Sequence, residues 1–410
     1  MGVIRALKAA LTHRGSPARA LIAFGQAGRP VWSARRFDAF ADEGYRKNVI
    51  AFRSIGEVAQ AAASVPWQVF ERRRGRRIER PEHPLAALLR RPNPLQGGPA
   101  LFEAVYGFRL IAGNAFVEAV APEGRPPVEL YALRPDRMQV IPGRGGLPAA
   151  YRFSVAGRER DFPVDPVSGR SAILHVRAFH PLDDWYGLSP VEAASFAIDQ
   201  HNQAGAWNQA MLQNGARPSG ALMVQASSEG GGATLSEAQF ERLKGQIDEL
   251  YSGSRNAGRP LLLEGGLTWQ EMSLSPKDMD FVNAKHTAAR DIALAFGVPP
   301  QLLGIPGDNT YANMREARLA LWEQTVMPLV DQIAAELSCW LAPRFAEGFE
   351  IVPDLDRVPA LALRRERLWE KVAGADFLTL NEKRAAVGYG PVPGGDRLAA
   401  APSIPARSEP

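Results

Sequence analysis

The segment SPKDMDFVNAKHTAARDIALAFGVPPQLLGIPGDNTY, residues 275–311, predicts a capped helix followed by a loop rich in glycine and proline. Ser275 is a suitable N-cap, and Pro276 fits the first turn, where its missing N–H leaves no hydrogen bond unmade. Gly297 favours the left-handed conformation that ends helices, so the helix should end near Phe296. One narrow face carries mostly small residues and predicts a closely packed helix neighbour. This face comprises Phe281, Ala284, Ala288, Ile292 and Ala295, with Lys285 and Arg290 outside it.

A second, longer helical pattern follows the loop. Its apolar side chains form one stripe: Leu319, Trp322, Val326, Leu329, Val330, Ile333, Leu337 and Leu341. Pro328 lies inside the pattern and predicts a kink, because proline cannot donate the helical hydrogen bond. Cys339 is the single cysteine, so an intramolecular disulfide is excluded. Its position in this helix predicts a small buried thiol.

The totals describe a folded protein of several modules. A chain of 410 residues, 46% hydrophobic and 22% charged, is typical of globular proteins with two to four domains, at roughly 100 to 200 residues each. It has no apolar run of about 18 residues that could span a membrane. Arg14 and Arg19 interrupt the N-terminal region that would otherwise resemble a signal peptide. We therefore expect a soluble protein that is made in the cytosol.

The charge is distributed unevenly along the chain. Residues 1–110 carry 19 Lys and Arg against 8 Asp and Glu, whereas residues 190–345 carry 11 against 17. The first 110 residues are therefore basic and residues 190–345 are acidic, although the formal net charge of the whole chain is only +4. Only seven of the 48 basic residues are lysines, a usage that indicates a GC-rich genome.

The front half predicts an α+β module. Residues 1–40 have no sustained period and are expected to form an extended or partly ordered arm. A helical pattern from Asn48 to Ser64 precedes the strand WQVFERR. The tip RRRGRRIER allows two interpretations: a nucleic-acid patch, or a hairpin whose strand edge is protected by charge. The helical segments HPLAALLRRPNP and ALFEAVYGFRLIAGNAF come next, followed by the strands FVEAV, VELYALRP, RMQVIP, AAYRFSV and AILHVRAF.

A second helix begins after these strands and is interrupted by an insert. Ser189 is its expected cap, with Pro190 at the first position, and the helix should extend to Asn214. Between residues 216 and 274 the strand SGALMV, a helix capped by Ser236, and the strands RPLLLEG and LTWQEMSL form a small α/β unit. The C-terminal region carries one more helix and a capping box at Thr379. The tail after Gly394 is expected to be disordered.

Motifs for common chemistry are missing from the sequence. No lysine follows a glycine, which excludes a phosphate-binding G-x-x-x-x-G-K loop, and neither H-E-x-x-H nor G-x-S-x-G occurs. We expect no metal site and no cofactor. Three pairs of acidic residues could in principle bind the magnesium ion of a nuclease. Each pair also has a simpler explanation as part of a turn or a helix cap. These pairs are Asp183 with Asp184, Asp278 with Asp280, and Asp354 with Asp356.

Four stretches resemble one known family. ILHVRAFHPLDDWYGLSP at residues 173–190 is similar to the strand–turn–helix signature of portal proteins of tailed bacteriophages, the head-to-tail connector family. HPLAALLRRPNP at His83, FGVPPQLLGI at Phe296 and LTLNEKRAAVGYGPVPGGD at Leu378 resemble further pieces of that family, in the same order. The match covers most of residues 45–396. The short chain and its arginine usage favour a prophage or a gene transfer agent.

The resemblance implies a multi-domain α+β portal fold in a ring of subunits, usually twelve, with a DNA channel at one capsid vertex. It divides the chain into an N-terminal arm (1–44), a wing (45–189), two stem helices (190–215 and 275–297), a clip (216–274), a tunnel loop (298–311), a long kinked wing helix (312–345), a short helical crown (346–396) and a disordered tail (397–410).

The resemblance also implies partners and contact residues. The ring would pass double-stranded DNA without sequence specificity, bind terminase and then the head–tail adaptor through its clip, contact the major capsid protein through its wing, and have no membrane partner. Assembly would take place in the bacterial cytoplasm and end in the virion. A DNA-packaging enzyme, a nuclease or atypical ATPase, is the alternative. The expected channel residues are Lys285, Arg290, Gly304, Ile305, Pro306, Gly307, Asp308, Asn309, Thr310 and Tyr311, and the expected terminase or adaptor contacts are Arg255 and Arg259.

Overall fold

The computed structural model of the chain describes residues 37–73, 76–213, 220–224, 267–271, 281–307 and 311–398. It divides into two compact units. The larger comprises residues 35–194 and 293–410, and the smaller comprises residues 1–34 and 195–292. The expected cap at Ser275, the helix at Ser236, the strand RPLLLEG, Arg255, Arg259 and most of the N-terminal arm lie outside the described residues.

The larger unit begins with helices whose caps explain their positions. A short turn, Phe37–Ala39, and a π-helical turn, Phe40–Arg46, precede helix α1, Val49–Ala63. The side chain of Asn48 caps α1 by accepting hydrogen bonds from the next N–H groups at 3.0 and 3.1 Å. The predicted helix from Asn48 to Ser64 is thus confirmed. The end of the predicted arm is therefore helical. It is also packed against the unit, since Phe40 is only 6% exposed and burial of this aromatic side chain is favourable.

Two further helices follow, α2 (Pro84–Arg90) and α3 (Gly98–Ala112). The Nδ1 atom of His83 accepts from the N–H of Leu85 at 3.2 Å and caps α2. Helix α3 packs against α1 and ends at Gly113, whose φ of 71° is the left-handed value that suits glycine. Both helices lie where the sequence predicted them.

The first sheet of this unit contains a strand that the sequence analysis missed. Strands β1 (Trp67–Arg73) and β2 (Arg76–Glu79) form the predicted hairpin. The missed strand, Phe349–Pro353, pairs antiparallel with β1 and lies in the segment assigned to the crown. Ser338 binds this strand, since its Oγ donates to the carbonyl of Ile351 at 3.0 Å and accepts from its N–H at 2.8 Å.

Two further three-stranded antiparallel sheets lie between residues 114 and 177. Their strands are β3 (Asn114–Val120), β4 (Glu129–Leu133), β5 (Met138–Pro142), β6 (Pro148–Val155), β7 (Arg158–Pro163) and β8 (Ile173–Arg177). The strand orders are β4-β3-β8 and β5-β6-β7. The sequence predicted all of these except β7, whose run of four exposed polar residues lacks the apolar alternation of a half-buried strand. The core between the strands comprises Phe116, Met138, Val140, Tyr151, Phe162, Val164 and Ile173.

The helix expected from Pro190 to Asn214 is broken. Helix α4 (Pro190–Ala193) ends at Ala194, whose φ and ψ of −86° and 1° leave helical geometry, and α5 (Ser195–Gln213) follows. The boundary between the two units falls at this break. The smaller unit also contains an antiparallel strand pair, β9 (Gly220–Val224) with β10 (Leu267–Glu271), so two predicted insert strands are confirmed. Helix α6 (Phe281–Ala295) begins in the smaller unit and ends in the larger one.

The long helix is interrupted by a π-helical turn before Pro328. Helix α7 (Tyr311–Ala320) leads into the π turn Leu321–Val326, and α8 (Met327–Trp340) follows. The N–H of Met327 bonds to the carbonyl of Trp322, five residues back. The irregularity therefore lies in the π turn that precedes Pro328, because proline has no N–H to continue the α-helical pattern.

The π turn corrects two expectations for this helix. The extra residue in the π turn shifts the buried face of the helix relative to the predicted apolar stripe. Leu321 and Val326 are buried, whereas Leu319 and Trp322, which the prediction placed on the stripe, are only half-buried. The prediction of a buried Cys339 is wrong, since this thiol is exposed. Leu337 and Leu341 are buried in the core. Cys339 lies midway between them in the sequence and therefore faces the opposite side of the α-helix.

The C-terminal region is helical, as predicted. Strand β11 (Phe349–Pro353) is followed by α9 (Ala362–Ala373) and α10 (Leu380–Ala386). The capping box is confirmed, because the Thr379 hydroxyl binds the N–H of Glu382 while the carboxylate of Glu382 binds the N–H of Thr379. None of the helices in the described ranges is long and apolar enough to cross a membrane.

Candidate functional site

Residues 173–190, which we call the signature segment, comprise β8 and the tight turn that follows it. Asp183 closes the turn by accepting hydrogen bonds from the N–H groups of Trp185 and Tyr186 at 2.7 and 3.0 Å. The Tyr186 hydroxyl then accepts from the N–H of Val140 at 2.8 Å, which ties the turn to β5. The turn role predicted for Asp183 is confirmed, and both aromatic rings pack against the core between strands β3 to β8.

The signature segment passes very close to the backbone at the end of α3. A Cβ atom at Gly187 would lie 2.2 Å from the Gly113 carbonyl oxygen and 2.4 Å from the nitrogen of Ala178. The N–H of Ala178 donates to that same Gly113 oxygen at 2.8 Å. Position 187 therefore admits only glycine without movement of the backbone.

Asn114 holds the three chain segments together through its amide. Its Oδ1 accepts from the N–H of Gly187 at 2.8 Å and from Nε2 of His175 at 2.9 Å. Its Nδ2 donates to the carbonyls of Ala112 at 2.8 Å and Gly187 at 3.3 Å. The side chain is 5% exposed, so every polar atom of this buried amide is satisfied. The sequence analysis missed Asn114, which has no local motif apart from its place after a left-handed glycine.

His175 is held as a neutral ring in this cluster. It stacks on Phe116 with ring centroids 4.2 Å apart and contacts Tyr151 edge-on at 5.7 Å. Burial, with a smaller contribution from the positive charge of Arg177, lowers the pKa of His175 to about 3. Because Asn114 Oδ1 can only accept, the His175 proton lies on Nε2.

The pH dependence of stability should report on His175. Its pKa is lower in the folded chain than its ordinary value of 6.5, so the unfolded chain binds more protons and stability falls as the pH drops below about 6.5. The loss is at most about 1.4 kcal/mol per pH unit, and smaller because the ring keeps some contact with water. Urea midpoints at pH 7.5 and pH 5 would measure it. His175→Gln keeps the donor to Asn114 without titrating, and an equal pH dependence in this variant would contradict the assignment.

Ser189 fixes the direction in which the chain leaves the signature segment. Its Oγ accepts from the N–H groups of Val191 at 3.0 Å and Glu192 at 3.4 Å, which confirms the predicted cap of α4. The same hydroxyl donates to the carbonyl of Ile111 at 2.6 Å. Phe179 and Leu182 at the tip of the turn are 85% and 91% exposed. A rigid turn thus presents two large apolar side chains to the surroundings.

The loop expected to contact DNA starts from a well-defined helix end. Gly297 has a φ of 65°, its N–H bonds to the carbonyl of Leu294 at 3.0 Å, and the N–H of Val298 bonds to Ala293 at 2.9 Å. This pair of bonds is the Schellman motif, so the predicted end of the helix near Phe296 is confirmed. The Thr325 hydroxyl donates to the carbonyl of Gly297 at 2.7 Å and holds the start of the loop against the π turn.

The first half of the loop is ordered and partly buried. A 3-10 turn, Pro300–Leu303, ends at Gly304, whose φ is 68°. Ile305 is only 4% exposed, so it anchors the loop, whereas Pro306 and Gly307 are exposed. Asp308, Asn309 and Thr310 lie outside the described residues, and Tyr311 is the first residue of α7. The described part of the loop therefore combines one buried anchor with two exposed residues at its end.

The two candidate channel cations occupy different surroundings on α6. Arg290 is exposed, whereas Lys285 is half-buried. Burial is the main cause that lowers the pKa of His201 on α5, and the positive charges of Lys285 and His286 lower it further. Lys285 therefore lies close to α5, and the structure does not group it with Arg290.

The arginines of the β1–β2 hairpin are engaged with neighbouring strands. Arg77 lies 3.4 Å from the carboxylate of Glu350 and stacks over Phe70 at 4.2 Å. Arg80 pairs with Glu71 at 2.7 Å. These contacts favour the interpretation as a charged strand edge, because β2 is the outer strand of its sheet.

The acidic pairs also have structural roles. Asp354 caps a short turn by accepting from the N–H of Asp356 at 3.2 Å, and Asp356 pairs with Arg365 at 2.9 Å. Asp278 and Asp280 lie outside the described residues. Within the described ranges, no three His, Cys, Asp or Glu side chains come together in a group that could hold a metal ion.

Comparisons with known proteins agree with this architecture. The family model described as phage portal protein matches residues 50–388. An uncharacterised protein of Rickettsia bellii is 49% identical over 87% of this chain and 90% of its own length. The probable portal protein of Streptomyces phage phiC31 is 27% identical over 84% of this chain and 75% of its own. The chain therefore belongs to the phage portal protein family.

Solved structures extend the comparison. A chain in the neck of an empty gene transfer agent particle, computed with C6 symmetry, is 47% identical, with a TM-score of 0.67 over 89% of this chain and 96% of that one. A chain in the neck of the native particle, computed with C12 symmetry, is 46% identical, with a TM-score of 0.65 over 89% and 97%. An HK97 family portal protein from Corynebacterium diphtheriae shares the fold at 18% identity, with a TM-score of 0.54 over 78% and 97%. The mixed helix and sheet fold is that of portal proteins.

Proposed function

We propose that this chain forms a closed ring, of twelve subunits, that serves as the channel for double-stranded DNA at one vertex of a gene transfer agent or phage particle. The observation that carries this proposal is the 46% identity to a chain in a particle neck with C12 symmetry, over 89% of the sequence. The role is structural and not enzymatic. Assembly takes place in the bacterial cytoplasm, and the ring ends in the virion, where the wing contacts the major capsid protein.

The two units support the proposed division of the chain. The smaller unit contains the proposed stem helix α5, most of the proposed stem helix α6, and the strand pair of the proposed clip. Residues 45–189 form the wing, and the pairing of β11 with β1 favours adding Phe349–Pro353 to it. The long helix from residue 312 to 345 also belongs to the wing, and the remaining residues up to 396 form the crown.

Simple geometry allows a duplex to pass such a ring. Twelve stem helices at a spacing of about 10 Å give an axis-to-axis diameter of about 38 Å. Subtracting a helix diameter of about 10 Å leaves a bore of about 28 Å, which is wider than B-form DNA. The exposed apolar side chains Phe179 and Leu182 suit burial against a neighbouring subunit, because exposed apolar groups on a rigid turn mark contact surfaces.

The charge of the stem and long-helix region suits transport better than tight binding. Each phosphate neutralised by a cation adds affinity, and a channel must release the DNA that it holds. Residues 190–345 carry 17 acidic against 11 basic side chains. A mainly negative wall with a few cations such as Arg290 and Lys285 would let the duplex slide without sequence preference, while the loop Gly304–Tyr311 contacts it.

A direct test of the structural role uses the purified chain. Negative-stain images should show closed rings, and ATPase and nuclease assays should show no turnover. A monomer that hydrolyses ATP or cleaves DNA would support the packaging enzyme instead.

The proposed clip should dock terminase first and the head–tail adaptor later. Arg255 and Arg259 lie in that segment, and we expect Arg255→Glu with Arg259→Glu to weaken terminase capture, because reversing two charges at a contact changes attraction into repulsion. A pull-down of terminase large subunit by assembled rings measures this. Arg144→Glu with Arg158→Glu, at two exposed positions of the wing, changes the net charge by the same amount and is the control. Unchanged capture by the double variant would exclude this surface.

A further inference from the structure

The larger unit contains a cationic cavity for which the proposed channel function gives no role. It is open to solvent, has a volume of about 700 Å³, and lies where the loop Gly124–Pro127, the segment before β8 and the turn after α8 meet. Its walls combine arginine side chains with proline rings. The residues that matter are Arg125, Arg170, Arg344, Pro126, Pro163 and Pro343, and we call this feature the arginine–proline cavity.

Arg344 is fixed in this cavity by neutral acceptors. Its Nε donates to the carbonyl of Trp340 at 3.2 Å, and its Nη2 donates to the carbonyl of Ser171. Trp340 Nε1 donates to the same Ser171 oxygen at 2.9 Å, and the guanidinium lies 5.1 Å from the Trp340 ring centroid. These partners hold the guanidinium in place without neutralising its charge, so it is preorganised for an anion.

The cavity carries an excess of positive charge. Among the described residues, no carboxylate lies within 4.0 Å of Arg125, Arg170 or Arg344. The positive charge of Arg170 acts on the carboxylate of Asp165. The pKa of Asp165 is lowered mainly by hydrogen bonds, however, because its Oδ1 accepts from the N–H groups of Val167 at 2.8 Å and Ser168 at 3.3 Å. Burial lowers the pKa of Arg344, and the positive charge of Arg170 lowers it further. An incoming anion would relieve this repulsion.

We propose that the arginine–proline cavity binds an acidic peptide segment of a partner protein. The carboxylates of the segment pair with Arg125 and Arg170 at the rim and with Arg344 at the base, while an apolar side chain packs on the proline rings. The volume lies within the range of about 300 to 1,000 Å³ that is usual for ligand sites, which is enough for a few residues. Charge complementarity defines the partner as acidic, and the proline walls define it as partly apolar.

The shape of the cavity favours a peptide over DNA. Non-specific DNA binding uses basic side chains that follow the phosphates along an open surface. Here Arg344 is half-buried at the base, and the prolines have no backbone N–H to offer to a phosphate. A single peptide side chain can enter such a recess, whereas a duplex is too wide to do so.

The test measures binding of a fluorescent peptide to assembled full-length rings by polarisation at 150 mM salt. The probe is an eight-residue peptide of alternating Glu and Phe, and the matched probe carries Gln at each Glu. Arg125→Gln with Arg170→Gln removes two exposed charges and should weaken binding of the Glu peptide about tenfold. Arg144→Gln with Arg158→Gln removes two exposed arginine charges elsewhere in the wing and should leave it unchanged.

Five results would overturn the proposal. The wild-type rings could fail to bind the Glu peptide, or could bind the Gln peptide equally well. The two double variants could lose the same affinity, which would indicate a general charge effect. A 20-base-pair duplex could compete for the same arginines more strongly than the peptide, making DNA the ligand. Failure of the Arg125 and Arg170 variant to assemble would make a second copy of the chain the occupant.

Discussion

Gly187→Ala is expected to lower the free energy of unfolding of the larger unit by about 3 kcal/mol or more. The added Cβ would lie 2.2 Å from the Gly113 carbonyl oxygen and 2.4 Å from the nitrogen of Ala178. Both are backbone atoms, so relief requires separating α3 from the signature segment and breaking the hydrogen bonds of Asn114. Chemical denaturation of the purified chain, followed by tryptophan fluorescence, measures the change.

Gly107→Ala is the matched control for this substitution. Gly107 lies within α3, and a Cβ there would meet no atom within 4 Å. Alanine is favoured over glycine inside a helix by about 1 kcal/mol, so the control should be as stable as the wild type or more stable. Equal denaturation midpoints for Gly187→Ala and the wild type would show that the close approach at Gly187 tolerates a side chain.

Replacing residues 306–310 by a Gly-Ser linker of equal length is expected to leave rings intact but yield mostly empty particles. The change spares Ile305, which is 4% exposed and anchors the loop, and it spares the Thr325 contact to Gly297. It removes the exposed residues Pro306 and Gly307 and the next three residues of the loop proposed to contact the duplex. Negative-stain images report assembly, and nuclease-protected DNA per particle reports packaging and retention.

A linker of the same kind in another exposed turn controls for altered loop chemistry. Residues 144–147 lie in the turn between β5 and β6 and are suitable, since that turn has no proposed contact with DNA. Particles with this control should package normally. If the variant at residues 306–310 assembles no rings, the loop has a structural role; if it packages DNA as the wild type does, the loop does not act on the duplex.

Helix caps and tight turns were predictable because their partners are close in sequence. Ser189 and Thr379 each accept a hydrogen bond from the N–H group three residues ahead, and Asp183 does so in the signature segment. Such signals require no knowledge of distant chain segments. The same holds for Gly297, whose left-handed conformation ends α6 at the predicted place.

The missed features depend on distant partners. Strand β11 finds its partner β1 almost three hundred residues earlier, and β7 is too polar to show the alternation of a buried strand. The π turn before Pro328 adds one residue to the helical repeat, which the regular pattern could not anticipate. Asn114 and His175 form a site only because the close approach at Gly187 brings their segments together.

A reconstruction of the particle's vertex without imposed symmetry would test whether the chain forms the DNA channel. We expect a closed ring of twelve copies of this chain around duplex density, with α6 nearest the duplex in the stem and residues 304–311 in contact with it. A vertex without the chain, or a ring whose bore is too narrow for the duplex, would contradict it.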